Sequence, residues 1–394
     1  MKTSPREIKK IGVIISTYNQ PEWLKKVLWG YAHQTRLADE IIIADDGSSG
    51  LTAKMVEEIK TSFDLPIKHI WHADCGFQKN KIINSAILSA KSDYLIFTDQ
   101  DCIPRADFIE THSRMAEKGY YLSGGYFKLP TALSHQIKLE DIASQNAFQL
   151  KWLLRQGVRW HFKCTKLFKS KSFACLMNLI TPAKSSWNGC NSSGWKIDLM
   201  RLNGFNENLR YGGEDRELGE RLNNLKIYGK QIRYSAICIH LDHERPYKEE
   251  ETIKANKQFR KTIRHSRQYL TENGLEQGIE KSHLLSKKIL CLTTAKTRTE
   301  NAQLIDEISH YFTNKNDELI CFCVKRLPLV QYLLALYILK RENADTAIVF
   351  DNDTSLARWV QKQSALKFLT EKRVLRLREG QSVEILFDEI HKKP

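Results

Sequence analysis

The chain has 394 residues, of which 42% are apolar and 27% charged, and its nine cysteines are sparse and irregularly spaced. This composition excludes an intrinsically disordered protein, and the length suggests two or three domains. The net charge of +15 favours an acidic partner, for which nucleic acid, an anionic membrane surface and a phosphate-bearing substrate all qualify. Because no secretory leader opens the chain, we expect free thiols in a cytoplasmic protein. No apolar run reaches the roughly 18–20 residues that a membrane-spanning helix needs.

The first hundred residues alternate apolar runs typical of buried strands with segments of helical periodicity. Strands are predicted at residues 11–16, 40–44, 67–71 and 94–98. Helices are predicted between them at residues 21–34, 51–62 and 79–90. The alternation predicts an α/β fold with a mostly parallel sheet, in which ligands bind at the carboxyl ends of the strands.

The remainder of the chain is predicted in four blocks. Residues 131–186 read as a basic helical insertion with two helices, and residues 187–243 as a block with a helix at 216–225 and a strand at 233–239. A charged helix at 248–267 closes a first domain, 1–270. After a linker at 271–286, residues 287–394 are predicted as a small α/β domain of unknown role, with strands at 289–292, 318–324, 346–350 and 383–387.

Asp99-Gln100-Asp101 follows the fourth predicted strand. Two carboxylates that flank one residue at a strand end can share a hard divalent cation. Taken alone, the pattern is also typical of a solvated acidic turn, and it recurs at Asp351-Asn352-Asp353. Its meaning therefore depends on its neighbours.

Two further acidic motifs stand at the ends of predicted elements. Asp45 and Asp46 follow the second strand, where a carboxylate can accept from a base imide or a ribose hydroxyl, although the segment also suits a turn. Glu214 and Asp215 follow two glycines and open a predicted helix. Adjacent carboxylates there suit a general base and an acceptor-orienting partner, or simply a helix cap.

His240 and His243 follow the strand predicted at 233–239 and flank an aspartate. Either imidazole can ligate a metal, although a structural hydrogen-bonding role is the ordinary one for histidine.

Taken together and in this order, the motifs resemble the glycosyltransferase family 2 proteins of the GT-A fold over residues 11–243. The segment 188–243 also resembles the carboxyl-terminal region of galactosyltransferases that carry a Gly-Gly-Glu-Asp motif. The matching segments are Ser16-Thr17-Tyr18-Asn19, Ile41-Ile42-Ile43-Ala44-Asp45-Asp46-Gly47-Ser48, Gly76-Phe77, Phe97-Thr98-Asp99-Gln100-Asp101-Cys102-Ile103-Pro104, Gly204-Phe205-Asn206-Glu207 and Tyr211-Gly212-Gly213-Glu214-Asp215.

The resemblance implies a GT-A fold, a Rossmann-like mixed and mostly parallel sheet flanked by helices, followed by the small α/β domain. It also implies how the nucleotide-sugar donor is held. The residues assigned to the nucleoside are Thr17, Asn19 and Asp46, with Asp45 as the alternative to Asp46.

The resemblance further implies a metal site for Mn²⁺ or Mg²⁺. Asp99 faces the ribose and the metal, Asp101 ligates the metal directly, and either His240 or His243 supplies the second protein ligand. Asp215 is implied as the catalytic base, with Glu214 orienting the acceptor hydroxyl.

One departure from the family concerns the diphosphate. Many relatives place an arginine before the asparagine that matches Asn84, whereas this chain has Ile83. Lys79 and Lys81 lie just upstream, and we select Lys81 to supply the positive charge.

The segment 187–191 is expected near the donor sugar or the acceptor, with Asn188 as a donor-binding residue. The two asparagines of the segment, Asn188 and Asn191, suit the recognition of sugar hydroxyls. Trp187 and Trp195 can stack on a sugar ring or pack in the core.

The resemblance implies a metal-dependent inverting hexosyltransferase that uses a UDP-sugar and a glycan or glycolipid acceptor in bacterial cell-surface polysaccharide or lipopolysaccharide synthesis. The basic surplus fits a cytoplasmic enzyme peripheral to the inner membrane, with residues 152–171 as the membrane or acceptor contact, or as a basic cover of the sheet. The alternative is a basic nucleic-acid-binding protein without transferase activity. Dispersed charge and the lack of a recognised module count against it, so we expect no nucleic-acid partner.

Overall fold

The computed structural model describes residues 8–243 and 250–275 and four strands beyond them. The chain divides into two compact units, 1–279 and 280–394. Residues 271–275, predicted as linker, instead hydrogen-bond to the first unit, because the amide of Leu275 donates to the carbonyl of Asn203 and the amide of Glu207 to that of Asn273.

The first unit opens with the predicted alternation of strands and helices, which is confirmed to within two residues at each end. Every residue of the first strand is buried, which explains its unbroken apolar sequence. The strands are β1 Ile11–Thr17, β2 Glu40–Asp45, β3 Ile67–Trp71 and β4 Tyr94–Asp99. The helices are α1 Pro21–Ala32, α2 Gly50–Phe63 and α3 Lys79–Ser89.

These strands form the parallel half of a seven-stranded sheet. Three short strands complete it: β6 Tyr120–Ser123, β8 Ser192–Trp195 and β9 Tyr228–Gln231. The order is β3-β2-β1-β4-β8-β6-β9, and β8 alone runs against the others. The predicted fold class, a mixed and mostly parallel sheet flanked by helices, is therefore confirmed.

A second, three-stranded sheet follows β4 directly. It consists of β5 Cys102–Pro104, β7 Gly125–Lys128 and β10 Ile237–His240, with β10 in the centre. The strand predicted at 233–239 begins later than expected because Ile232–Ala236 form a turn, in which the amides of Ser235 and Ala236 donate to the carbonyl of Ile232. Because β5 pairs with β10, this sheet holds the segment after β4 beside the segment after β10.

The basic insertion contains more and shorter helices than the two predicted. They are α5 Thr131–Gln136, α6 Leu139–Ala143, α7 Leu150–Arg155 and α8 Lys171–Ile180, with 3₁₀ turns between them. Gly157, which has a φ of +85°, follows the end of α7, and the Ser170 hydroxyl caps α8 by accepting from the amide of Phe173.

The remaining helices of the first unit are α4 Phe108–Met115, α9 Lys196–Arg201, α10 Glu214–Asn224 and α11 Glu250–Ser266. A buried ion pair anchors α10, because Arg221 binds Glu217 at 2.7 Å and donates to the carbonyls of Leu202 and Gly204. Among the described helices, none combines the length and the apolar character that crossing a bilayer requires.

The described strands of the second unit form a parallel sheet. They are β11 Lys288–Thr293, β12 Glu318–Cys323, β13 Thr346–Phe350 and β14 Arg373–Leu377, in the order β12-β11-β13-β14. Three of the four strands predicted here are confirmed, whereas β14 was not predicted. The strand predicted at 383–387 and the motif Asp351-Asn352-Asp353 lie outside the described residues.

Candidate active site

The carboxyl ends of β1, β2 and β4 meet at one edge of the large sheet. Thr17 is in register with Asp45, and Ser16 with Asp99. The start of α10 brings Glu214 and Asp215 to the same region, and the end of β10 brings His240 and His243. The positions that sequence motifs marked separately are therefore neighbours in space.

A small cavity at this edge is lined by the side chains of Lys79, Asp99 and Asp215. Asp99 Oδ1 accepts from the Ser16 hydroxyl at 2.7 Å and from Lys79 Nζ at 2.8 Å. Burial opposes the charge on Lys79, but Asp99, Asp215 and Glu214 outweigh it and hold the pKa of Lys79 well above its ordinary value. Lys79 is therefore a permanent cation in a cavity whose other charged side chains are carboxylates.

Asp215 has the properties of a base that works near neutral pH. Burial is the main cause that raises its pKa to about 7, and the charges of Glu214 and Asp99 act in the same direction. Lys79 and a hydrogen bond from the amide of Gly189 oppose this shift. Gly189 approaches so closely that a Cβ there would lie 2.8 Å from Asp215 Oδ2.

The turn before α10 determines where this carboxylate pair lies. Tyr211, Gly212 and Gly213 have φ values of 58°, 113° and 99°, three consecutive left-handed residues for which glycine is the least strained choice. Glu214 is buried, and its Oε2 has no hydrogen-bond partner within the described part of the chain. An unpartnered buried carboxylate oxygen costs free energy, which suits a group that accepts from a ligand hydroxyl.

Asp101 is the centre of a second cluster. It is 4% exposed, and its Oδ2 lies 2.8 Å from His243 Nε2 and 3.3 Å from His240 Nε2. Burial alone would raise the pKa of Asp101, but His243 and His240 lower it. The structure therefore brings the predicted metal ligand together with both candidate histidines.

The orientation of His240 suits metal ligation. Its Nδ1 lies 2.7 Å from the carbonyl oxygen of Leu241, which can only accept, so Nδ1 carries the proton. With the proton on Nδ1, Nε2 is the ring atom available to a metal, and it points toward Asp101. Cys102, which the sequence did not single out as a ligand, completes a group with Asp101 and His240 whose ligand atoms all lie within 4.8 Å of one another.

The two clusters share the segment 99–101. Asp99 belongs to the cavity and Asp101 to the histidine cluster. Because only Gln100 lies between them in the chain, their α-carbons are at most about 7 Å apart. Gln100 between them is fixed, since its amide donates to the carbonyl of Ser16 and its side chain accepts from the Thr17 hydroxyl at 2.6 Å. The division of roles between Asp99 and Asp101 stays a prediction.

The two nucleoside candidates after β2 differ in their contacts. Asp45 is fully buried and accepts from the amide of Ser48 at 2.8 Å and from His69 at 2.9 Å, which fixes the turn. Asp46 lies beside His72 at 2.8 Å and accepts from the amide of Gln78. Burial is the main cause that raises the pKa of Asp46. The side chain of Asp46 is 8% exposed and that of Asp45 is 1% exposed, so Asp46 lies nearer to solvent.

Thr17 and Asn19 connect loops. Thr17 is 3% exposed and donates to Gln100, whereas Asn19 is exposed. Asn19 Oδ1 accepts from the amide of Ser49 at 2.9 Å. Both residues lie at the predicted edge, where they hold the loops after β1, β2 and β4 in place.

Two expectations near the cavity change. The structure does not bring Lys81 to the cavity, since this residue lies on the exposed side of α3, and Lys79 occupies the place proposed for it. Asn188 is half-buried beside Gly189, and its Oδ1 accepts from the Cys190 thiol at 3.0 Å. Asn188 is therefore adjacent to the cavity, because the next residue, Gly189, lines it.

Of the two roles left open for the tryptophans, the structure shows core packing and not sugar stacking. Trp187 is fully buried against Phe97 and Tyr121, and Trp195 is 2% exposed against Tyr94. The expectation that Asn191 recognises sugar hydroxyls is wrong. Its amide is fully buried, and it donates to the carbonyls of Gly125 and Ala236.

Sequence reasoning also missed aromatic and imidazole groups around Asp46. His69 and His72 lie on or just after β3, and Tyr18 and Trp71 are 45% and 54% exposed. The sequence indicated them only through the mixture of polar and aromatic residues in 68–72. This mixture is typical of an ordinary edge strand, and its place near Asp46 becomes visible only when β3 pairs with β2.

Several known proteins are similar in sequence to part of this chain. Residues 12–163 match the family model described as Glycosyl transferase family 2. Chondroitin synthase of Escherichia coli is 28% identical over 267 residues, which cover 63% of this chain but only 37% of that protein. An uncharacterized glycosyltransferase of Bacillus subtilis, YfnE, is 25% identical over 272 residues, 63% of this chain and 68% of the relative.

Among solved structures, the mannosyltransferase PcManGT from Pyrobaculum calidifontis in complex with GDP-Man and Mn²⁺ is 18% identical, and its TM-score is 0.42. The likeness covers 67% of this chain and 65% of that one.

Proposed function

We propose that this chain, whose residues 12–163 match the family model described as Glycosyl transferase family 2, is an inverting hexosyltransferase. It moves a sugar from a nucleotide-sugar donor to a hydroxyl group of a glycan or glycolipid. One observation carries the proposal: Lys79, Asp99 and Asp215 line one cavity, two residues of chain away from the Asp101–histidine cluster.

The residues of the cavity divide the reaction between them. Asp215 accepts the proton of the acceptor hydroxyl, whose oxygen forms a bond to the anomeric carbon of the donor sugar. The bond from that carbon to the diphosphate oxygen breaks on the opposite side, and its electron pair leaves with the diphosphate. Because one displacement occurs, the anomeric configuration inverts. Lys79 faces the developing negative charge, and Glu214 accepts from the acceptor to orient it.

Asp101, His240 and His243 would hold the divalent cation. When bound, the cation neutralises charge on the departing diphosphate. The donor set of one carboxylate and two imidazoles fits a transition metal better than Mg²⁺, which prefers oxygen ligands. We therefore favour Mn²⁺ over Mg²⁺.

The nucleoside would bind beside Asp46. An ionised carboxylate offers about four acceptor positions, and His72 and the amide of Gln78 use two of those on Asp46. The remaining positions suit the imide N–H of uracil, which favours a UDP-sugar. Tyr18 and Trp71 provide exposed aromatic surface nearby.

We propose a glycan or glycolipid acceptor from bacterial cell-surface polysaccharide or lipopolysaccharide synthesis, and a cytoplasmic enzyme that associates with the inner membrane. The six cysteines within residues 8–275 are all free thiols, which fits a reducing compartment.

The test is a panel of nucleotide sugars, measured by thermal shift and by donor hydrolysis, with Mn²⁺, with Mg²⁺ and with chelator. The correct donor with Mn²⁺ at a hundredfold excess over Kd should add about 2.7 kcal/mol to the free energy of unfolding. Asp101→Asn should remove the Mn²⁺-dependent part of this gain. If no nucleotide sugar stabilises the protein or is hydrolysed, the proposal fails.

A further inference from the structure

Helix α8 carries apolar side chains on its outer face. Its inner face contacts the body of the unit: Ala174 is buried, Asn178 Nδ2 donates to the Ser235 hydroxyl at 2.8 Å, and the Phe173 ring lies 6.3 Å from that of Tyr234. The outward positions 172, 175, 176 and 179 follow helical spacing. A surface helix of a globular protein normally has polar residues at such positions, so the usual pattern is reversed.

The exposure of this face is large. Leu176, Leu179 and Ile180 are 53%, 83% and 58% exposed, and Phe168 just before the helix is 40% exposed. We call these four residues, together with the exposed Cys175, the α8 surface. Of 17 large apolar residues that are exposed in the described part of the chain, seven lie within residues 154–180. This concentration marks an interaction surface rather than scattered single residues.

The chain around the α8 surface is basic without interruption. Residues 142–197 contain nine Lys and Arg and no Asp or Glu, although acidic residues are common elsewhere in the chain. Lys169 and Lys171 at the start of α8 are exposed, as is Lys184 after its end. The partner of this surface must therefore be both apolar and anionic.

We propose that the α8 surface docks this protein on an anionic lipid bilayer. The leucine, isoleucine and phenylalanine side chains enter the interface, and the surrounding lysines and arginines face the lipid headgroups. An anionic nucleic acid fits less well, because aliphatic side chains do not stack on bases as aromatic ones do. The contact expected at residues 152–171 therefore extends to α8.

This inference deepens the proposed function and rests on it for the setting, since a glycolipid acceptor would be presented at such a bilayer. The surface contains no residue of the candidate active site. Docking and catalysis can therefore be measured separately.

The test uses the full chain with vesicles of phosphatidylcholine alone or of equal parts phosphatidylcholine and phosphatidylglycerol. Flotation should recover the protein with the anionic vesicles at low salt and much less of it with the neutral ones. Maleimide alkylation, followed by mass spectrometry of the peptides, should show Cys175 protected by anionic vesicles. Cys75, also exposed but in the loop after β3, should remain reactive in the same molecules.

Two variants separate the contributions. Leu176→Ser/Leu179→Ser/Ile180→Ser should lower the vesicle partition constant at least a hundredfold, whereas Leu37→Ser/Leu51→Ser, which alters equally exposed leucines elsewhere, should leave it unchanged. Lys169→Gln/Lys171→Gln/Lys184→Gln should lower it on the order of a hundredfold at low salt, at about fivefold for each cation. Lys54→Gln/Lys68→Gln/Lys91→Gln, which alters exposed lysines elsewhere, is the matched control.

The proposal is overturned if the full chain does not bind anionic vesicles, or if the triple serine variant binds as wild type does. Protection of Cys175 that rises with protein concentration in the absence of vesicles would assign the surface to a second copy of the chain. Displacement of the protein from vesicles by RNA, with protection of Cys175 by RNA alone, would assign it to nucleic acid. Transfer to a water-soluble acceptor without vesicles should be unchanged in the serine variant. If wild type shows no transfer but does bind vesicles, the proposed function fails and the docking surface stands.

Discussion

Lys79 Nζ lies 2.8 Å from Asp99 Oδ1, so the first residue of α3 places a positive charge at the end of β4. The pair lines the same cavity as Asp215. Lys79 thus favours the ionised form of Asp215, and in the proposed reaction it faces the departing diphosphate.

Replacing Lys79 should affect both binding and the pH profile. Lys79→Met removes the cation that lowers the pKa of Asp215, so the acid limb of the kcat/KM profile should move to higher pH. Donor affinity should fall at least tenfold, since a charge-assisted contact is worth about 1.5–3 kcal/mol. Kinetics across pH check both effects.

Lys81→Met is the matched control, because Lys81 is an exposed lysine on the same helix. It should retain wild-type kinetics at every pH. Equal losses in the two variants would contradict the assignment of the cavity cation to Lys79.

Asp215→Asn should abolish most of the transfer while leaving the fold intact. A general base contributes about 10²–10⁴ in rate, so kcat should fall by that factor. In wild type, kcat/KM should rise with pH through about 7, where Asp215 loses its proton, and the variant should lack this dependence. Asp64→Asn, in an exposed left-handed cap where asparagine is equally suited, should behave as wild type.

The same substitution should change stability in a pH-dependent way. The pKa of Asp215 is raised from 3.8 to about 7 in the folded state. Between these values the folded state retains a proton that the unfolded state has lost, so this group reduces stability as pH rises through that window. The stability of Asp215→Asn relative to wild type should therefore increase from pH 4 to above pH 7, by on the order of a few kcal/mol. Urea unfolding at several pH values measures it, and parallel curves would contradict the raised pKa.

The two histidines should differ in their effect on metal binding. His240 presents Nε2 toward Asp101 because its Nδ1 is held by a carbonyl, and its ring stacks on that of His243 with centroids 6.1 Å apart. His240→Ala should weaken Mn²⁺-dependent thermal stabilisation at least tenfold in apparent affinity. His243→Ala should also weaken this stabilisation. His243→Gln, whose side chain can still reach Asp101, should retain more of the Mn²⁺ affinity than His240→Gln does. His69→Ala, outside the Asp101 cluster, controls for the general loss of an imidazole. Equal Mn²⁺ responses in all the variants would exclude this site.

Gly189→Ala tests the close approach of backbone to the base. The added Cβ would lie 2.8 Å from Asp215 Oδ2, so the carboxylate must shift or rotate, and we expect at least a tenfold loss of kcat. Gly50→Ala places a Cβ where no atom lies within 4 Å and should be silent. Unfolding curves of both variants establish whether the loss is catalytic, and an unchanged kcat in Gly189→Ala would contradict the geometry.

The long parallel strands and the positions of the acidic motifs could be predicted from the sequence, because continuous apolar runs such as Ile11–Thr17 report burial on both faces of a sheet. The four-residue strands of the large sheet, β6, β8 and β9, could not. Ser192–Trp195 contains two serines and a glycine, and it forms a strand only because β4 and β6 lie on either side.

The distinction between Lys79 and Lys81 depends on which side of α3 faces the sheet. Residues two positions apart on a helix point in directions that differ by more than a right angle. The sequence offered both lysines and no means to choose between them. Likewise Asn191 and Trp187 have side chains typical of sugar binding, but their burial is a property of the whole fold.

The hydrogen bonds of Gln100 connect the cavity with the Asp101 cluster. Its amide and side chain fix the segment between Asp99 and Asp101 to β1 on one side, and the amide of Leu241 fixes the Asp101 carbonyl to the segment after β10 on the other. We therefore expect occupancy of one cluster to affect the other through this segment, without any domain movement. Cation and donor should consequently bind with mutual reinforcement, and a change of ion should be visible in the titration of a carboxylate that the ion never touches.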